Sequence, residues 1–224
     1  SVNAGGTLDL LEAARLKGVR RVVFLSSASV YGPANGGPID EDSPLRATSP
    51  YGCSKIAAEA IVRAYAGGGL DVVILRPSWV YGPRRRTACV IRSMVTDALA
   101  ARPTHLPFGG GFPRQFVHVD DMASAVAAAL AAPGVSGRAF NISDGSRQTI
   151  DAVAGIVAGV LPTARITVDP GPDPDDDEVG LLDTAAAAEA IGWRPSLGLR
   201  DGVRAYVASL SGRTFVAPAA PPPR

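Results

Sequence analysis

Residues 18–32, GVRRVVFLSSASVYG, decide how the rest of the chain is read. Val22 to Leu25 form a run of four apolar residues, too short for a helix and without alternation. That is the pattern of a strand buried on both faces of a parallel sheet. Gly18 ahead of them suits the end of a helix, where a residue in the left-handed region closes the last turn. Upstream, residues 4–17 (AGGTLDLLEAARLK) place Leu8, Leu11 and Ala14 on one stripe with charges between them, which predicts an amphipathic helix. Downstream, residues 28–48 are rich in Gly, Pro, Asn and Asp and read as a long loop, a length often reserved for function.

The same alternation repeats along the chain. Ser49-Pro50 opens a helix, with serine as N-cap and proline in the first turn, that runs to about Ala66. GGG ends it, and LDVVILRP reads as a second buried strand. A helix over 88–101, a short strand in RQFVHV and a helix in DDMASAVAAALAA capped by Asp120 or Asp121 follow. GRAFNIS reads as a strand, TIDAVAGIVAGV as a helix, PGPDPDDDE as an acidic loop, and 184–191 and 199–210 as two short helices. The proline-rich tail, 213–224, is predicted to be disordered. Strands alternating with helices predict an α/β fold built on a parallel sheet. Such sheets bind ligands beyond the carboxyl ends of their strands, so SSASVYG, RPSWVYG and NISDGS are where chemistry is expected.

Composition narrows the partners. The 224 residues suit one domain with a small appended lobe, and 46% hydrophobic against 19% charged residues is enough for a core. A net charge of +1 without a basic stripe argues against nucleic acid, and the alanine-rich apolar runs are too broken to span a membrane. Cys53 and Cys89 make neither a disulfide framework nor a metal site, which predicts a reduced, cytoplasmic protein without a metal. The chain opens at Ser1, straight into helical periodicity, and this leads us to expect part of a longer gene product.

SPYGCSK, residues 49–55, sets Tyr51 and Lys55 four apart in a chain with 5 tyrosines and only two lysines. Composition alone would produce such a pair about 0.04 times. On a helix the two share a face, so the lysine can hold its ammonium near the phenol. A phenol titrates near pH 10 in water, so one that works as a base near neutrality needs about 4 kcal/mol of differential stabilisation. A lysine cation and the positive end of a helix each supply part of that.

The pair belongs to a longer pattern: VNAGGT at 2–7, GVRRVVFLSSASVYG at 18–32, SPYGCSK at 49–55 and LRPSWVYGPR at 75–84. RQFVHVDD at 114–121, FNISDG at 140–145 and IGWRPSLGLRDGVRA at 191–205 continue it. In this order and spacing the chain resembles the extended short-chain dehydrogenase/reductases of the NAD-dependent epimerase/dehydratase family. The resemblance implies a doubly wound, Rossmann-like parallel sheet lacking its first strands, over 1–83 and 115–147. A C-terminal substrate lobe would occupy 84–114 and 148–212. It implies Tyr51 as catalytic acid/base, Lys55 as the residue that tunes it and holds the nicotinamide ribose, and Ser27 as hydrogen-bond donor to the reacting oxygen. Ser26, Pro77, Ser78 and Asn3 would join Lys55 around NAD or NADP. Ser27, Ala28, Ser29, Trp79 and Arg114 would face a sugar or nucleotide-sugar substrate. Read as plain residues, Ser27 is equally a strand-end hydroxyl bonding the backbone, Asn3 a helix cap and Arg114 a partner for the acidic loop. His118 reads as a structural hydrogen-bonder.

The chain also departs from the family pattern. No Gly-rich turn joins a first strand to a helix to cradle a pyrophosphate, so the cofactor site is expected to be incomplete and the chain by itself inactive. Trp79 stands where sugar-nucleotide members commonly carry asparagine, and residues 173–178 are acidic where many carry an arginine on the substrate diphosphate. Ala28-Ser29 replaces the Asp-Glu pair with which dehydratases of the family eliminate water, so dehydration is not expected. Three functions stay open. The first is an NAD(P)-dependent epimerase or dehydrogenase acting on a sugar-like hydroxyl, the second an NADPH-dependent ketoreductase of secondary metabolism. The third is a catalytically dead structural or interaction remnant. The resemblance also implies a homodimer through helices 4–17 and 51–66. The run at 84–86 reads as a solvated loop or as a contact to substrate phosphate.

Overall fold

The structure, a computed structural model, describes residues 2–33, 37–173 and 177–215. In chain order come α1 (Val2–Leu16), β1 (Val22–Leu25), a 3-10 turn (Ala28–Val30), α2 (Pro50–Gly67), β2 (Val72–Pro77), β3 (Trp79–Tyr81) and α3 (Val90–Leu99). There follow β4 (Pro103–Gly110), β5 (Pro113–Arg114), β6 (Phe116–His118), α4 (Val119–Ala131), β7 (Ala139–Ile142) and β8 (Gln148–Thr149). The chain closes with α5 (Ile150–Val160), β9 (Arg165–Pro170), α6 (Ala185–Ala190) and α7 (Leu199–Leu210).

The central sheet is parallel with strand order β1-β2-β7, Val22 opposite Val72 and Ile74 opposite Ala139. Helices cover both faces, as a doubly wound sheet requires. On one side Leu11 of α1 and Val62 of α2 pack on Val72 and Ile74. On the other, Met122 and Ala125 of α4, with Ala187 of α6 and Trp193, pack on Val73, Leu75, Phe140 and Ile142. Residues 73–75 of β2 are wholly buried, as the unbroken apolar run predicts. β1 corrects the same expectation: it pairs only with β2 among the described residues, its apolar residues are half-buried, and Leu25 is 44% exposed.

A second cluster joins Ile91, Met94 and Val95 of α3 to Val153 and Val157 of α5, Val203 and Tyr206 of α7, and Tyr81 and Phe116. α7 lies so close to β3 that a Cβ at Gly202 would stand 1.8 Å from the Tyr81 hydroxyl. Two strands of this region, β4 and β9, have no counterpart in the sequence reading. They pair in parallel across some sixty residues, Thr104 opposite Ile166 and Leu106 opposite Val168. Pro103 and Pro107 are exposed, so neither proline puts its missing N–H into the core.

Local chemistry fixes the helix starts. Ser49 Oγ accepts from Gly52 N at 3.1 Å and Pro50 takes the first turn of α2, as the sequence predicts. α4 corrects the sequence reading, because its cap is His118, whose Nδ1 accepts from Asp120 N at 3.3 Å. Asp121 turns inward instead and accepts from Ser196 N (2.9 Å), Ser196 Oγ (2.6 Å) and Leu197 N (3.0 Å), three donors that make a buried carboxylate tolerable. α1 begins at Val2 and α3 spans less than predicted. The tail expectation for 213–224 lies, from 216 onward, outside the described residues.

Candidate active site

The segments that leave β1 and β2 at their carboxyl ends form one wall of a cleft of about 470 Å³, where a parallel sheet is expected to bind its ligand. Residues 26–29 follow β1, and Pro77, Ser78, Trp79 and Val80 follow β2. Ser49, Pro50 and Tyr51 at the start of α2, together with Arg85, Pro113, Arg114, Gln115, Asp177 and Val179, complete the lining. Ser26, Ser27, Ala28, Ser29, Tyr51, Pro77, Ser78, Trp79 and Arg114 thus meet in one place.

Ser27 caps the 3-10 turn, accepting from Ser29 N at 3.2 Å, and its hydroxyl lies 3.1 Å from that of Ser29. This strand-end bond is the plain reading of Ser27, and it also holds the hydroxyl at the cleft wall. Tyr51, in the first turn of α2, is 50% exposed. One turn on, Lys55 Nζ donates to Leu25 O at 2.8 Å and lies 5.8 Å from the Tyr51 ring centroid. Burial lowers the Lys55 pKa, against the pull of the Glu59 carboxylate. Asn3 does not line the cleft; its Nδ2 donates to Ser54 Oγ at 2.9 Å and braces α1 on the residue before Lys55.

Behind the site lies a buried polar network that the sequence reading did not find. Ser26 Oγ donates to Glu59 Oε1 at 2.6 Å, and Arg76 binds the Glu59 carboxylate through two bonds of 2.9 and 2.7 Å. Arg76 also donates to the Tyr31 hydroxyl (2.8 Å), which donates to Asn141 Oδ1 (2.7 Å). Burial lowers the Arg76 pKa, and the bonds and charges of Glu59 and Tyr31 together outweigh it and raise it. The signal was an arginine inside the apolar run VVILRP, a position where a charge must have a partner.

The Ser78 hydroxyl is out of solvent and has no partner, while its amide donates to Ile142 O at 2.8 Å. Trp79 carries the Arg114 guanidinium 4.0 Å from its ring centroid and that of Arg85 at 5.5 Å. Arg114 is buried and ion-paired with Asp173, the alternative left open for it above. Glu178 pairs with Arg147, and Asp177 accepts from the Thr48 hydroxyl at 2.7 and 2.8 Å, which fastens the acidic segment beside the cleft. His118 is buried outside the cleft, its pKa lowered by burial.

A doubly wound parallel sheet with a polar cleft at its carboxyl ends is the architecture of nucleotide-binding α/β proteins. The chain belongs to the NAD dependent epimerase/dehydratase family, which matches residues 1–143. It is 35% identical over 208 residues to the UDP-glucose 4-epimerase of Mycolicibacterium smegmatis, covering 91% of this chain and 66% of that protein. Among solved structures, MoeE5 in complex with UDP-glucuronic acid and NAD superposes with a TM-score of 0.86 at 31% identity, over 94% of this chain and 71% of that one. The UDP-glucose 4-epimerase of Thermotoga maritima with UDP-glucose gives 0.87 at 28% identity, over 94% and 69%. The chain spans about two thirds of the length of the curated relatives it matches. Among the described residues no helix is long and apolar enough to cross a membrane.

Proposed function

We propose that this cleft moves hydride between NAD and a hydroxyl-bearing carbon of a sugar nucleotide, as an epimerase or dehydrogenase. The observation that carries the reading is the meeting of Ser27, Tyr51 and the Pro77-Ser78 wall in one cleft, with Lys55 one turn behind Tyr51. Tyr51, as phenolate, takes the hydroxyl proton and returns it in the reverse step. Ser27 donates to the same oxygen as it becomes a carbonyl. Lys55, anchored on Leu25 O, keeps a positive charge beside the phenol and favours its ionised form. Ala28 and Ser29 supply no carboxylate for eliminating water, which favours these reactions over dehydration.

The residues fit the nicotinamide end of the cofactor. Ser78 offers a buried hydroxyl without a partner on the cleft wall, Pro77 an apolar surface beside it, and Lys55 a partly desolvated ammonium. NAD, when bound, supplies the acceptor for the hydride that leaves the carbon as Tyr51 removes the proton. No Gly-rich turn joins a strand to a helix among the described residues, so this segment by itself is expected to hold the pyrophosphate weakly.

On this reading residues 1–83 and 115–147 carry the cofactor side and 84–114 with 148–212 the substrate lobe, in a protein of the reducing cytoplasm. A homodimer through α1 and α2 is also proposed. Cys53, Ala57, Ala60 and Ala64 make an exposed stripe of small side chains on α2, and Leu8 and Leu10 of α1 are 45% and 59% exposed. A monomeric mass by sedimentation at micromolar concentration would count against that pairing. The function is tested by turnover of UDP-glucose by the full-length gene product with NAD. Tyr51→Phe should lose nearly all of it and Ser27→Ala most; full turnover in the Tyr51 variant would sink the assignment.

A further inference from the structure

The turn that presents Ser27 to the cleft is held at both ends by one buried ion pair. Ser27 caps the 3-10 turn at its start and Tyr31 at its end. Just before the turn, the Ser26 hydroxyl donates to Glu59 Oε1 at 2.6 Å. At its far end, the Tyr31 hydroxyl accepts from Arg76 Nη1 at 2.8 Å and donates to Asn141 Oδ1 at 2.7 Å. Arg76 closes the circuit on Glu59 with two bonds, of 2.9 and 2.7 Å. All five residues are buried, at 3% exposure or less. Asn141 Nδ2 donates to the carbonyls of Ile39 and Asp183, which turns its oxygen toward Tyr31.

The circuit runs beside the residues of the site. Ser26 precedes Ser27, Arg76 precedes Pro77 and Ser78, and Glu59 follows Lys55 by one turn of α2. The 3-10 turn also touches the start of that helix. A Cβ on Gly52, the residue after Tyr51, would stand 2.6 Å from Ser29 O. A turn that moved would therefore change the spacing between the Ser27 hydroxyl and Tyr51.

Stability alone does not account for the arrangement. A buried ion pair is often no more stabilising than apolar side chains of similar volume, because both charges lose water. What it adds is direction, since a guanidinium fork and a carboxylate bond along fixed axes. Burial pushes the Tyr31 phenol up to about 12, so it stays a donor to Asn141 and does not compete with Tyr51 as a base.

We propose that the Glu59–Arg76 pair, acting through Ser26 and Tyr31, is the positioning unit of this site: it fixes the turn so that the Ser27 hydroxyl meets the reacting oxygen. The inference rests on reading the cleft as a hydride-transfer site. It adds Glu59, Arg76 and Tyr31 as positioning residues, none of which lines the cleft.

Tyr31→Phe tests this, because it releases one end of the turn and leaves the ring and the ion pair in place, with Glu41 O still accepting from Arg76. In the full-length gene product with NAD and UDP-glucose it should lower kcat about tenfold and change KM less than about twofold. A misplaced catalytic group lowers the rate rather than ground-state binding. The same substitution made in Ser27→Ala should lower kcat no further, since the hydroxyl being positioned is gone. Ser26→Ala releases the other end and decides the matter if Tyr31→Phe does not fold. Amide exchange, followed by NMR without substrate, reads the turn directly. The amides of Ser29, Val30 and Tyr31 bond within the turn and should exchange faster in either variant, while those of residues 73–75 should not change. Unchanged kcat in both variants overturns the inference, as does unchanged exchange in the turn. So does an equal loss of kcat with and without Ser27, which would place the effect elsewhere than on that hydroxyl. A wild-type protein without turnover sinks the hydride-transfer reading instead, and exchange then decides by itself whether the turn is held.

Discussion

Removing Arg76 should strand a carboxylate in the core. The Arg76 and Glu59 side chains are 1% and 2% exposed and share two short bonds. In Arg76→Met, Glu59 keeps the Ser26 hydroxyl at 2.6 Å and, at 3.7 Å, an Arg63 guanidinium that is itself 47% exposed. Breaking one partner of a buried pair costs about 3–5 kcal/mol, and a chain of this size loses about 2–4 °C per kcal/mol, so Tm should drop by roughly 6–20 °C. Removing both charges, as Glu59→Leu with Arg76→Met, leaves no buried ion behind. The double variant should recover at least half of the loss, a coupling of about 2 kcal/mol in the cycle. Thermal and urea unfolding followed by circular dichroism reads all three. A single variant that loses less than about 1 kcal/mol, or a double variant as unstable as the sum of the singles, would refute the reasoning.

Two further outcomes follow from the packing. Burial pushes the Asp144 carboxyl up to about 6, against the bonds it accepts from Ser146. An acid with a raised folded-state pKa subtracts stability as pH rises from about 4 to 6. Asp144→Asn should therefore be more stable than wild type at pH 7, by about 1–2 kcal/mol after allowing for its partial exposure, with the gap closing below pH 4. A Tm difference independent of pH would contradict that cause. Gly202→Ala puts a methyl group on the Tyr81 hydroxyl and should cost at least about 1–3 kcal/mol in urea unfolding, with Tyr81→Phe in the same chain restoring part of it.

What could be read beforehand and what could not divide along physical lines. VVFL and VVIL announce parallel strands because both faces of such strands are apolar, and Ser49-Pro50 announces α2 because a cap is a local device. β4 and β9 were invisible for the opposite reason: PTHLPFGG is full of residues that punctuate turns, and its partner RITVDP lies far along the chain. The exposure of Leu25 follows from what pairs with β1, which no local pattern records. The segments after β1 and β2 were legible as cleft lining because strand ends gather at one end of a parallel sheet, whereas Ser27, Pro77 and Ser78 were singled out within them by the family resemblance. The pairing of Arg114 with Asp173 and the brace of Arg76 on Glu59 depend on tertiary approach. An unexpected charge in an apolar run was the available hint for the second of these. His118 took the cap from two aspartates because Asp121 is held by Ser196 and Leu197.

The central claim is that this cleft takes the nicotinamide end of the cofactor against Tyr51 and Lys55. Titrating the isotope-labelled chain with nicotinamide mononucleotide, and following amide resonances, tests it without any need for a pyrophosphate cradle. The account expects saturable shifts confined to residues 26–29, Tyr51 and Ser78, sharply weakened in Lys55→Met. No shifts at all, or shifts mapping instead to the surface around Arg20, Arg21 and Leu130, would contradict it.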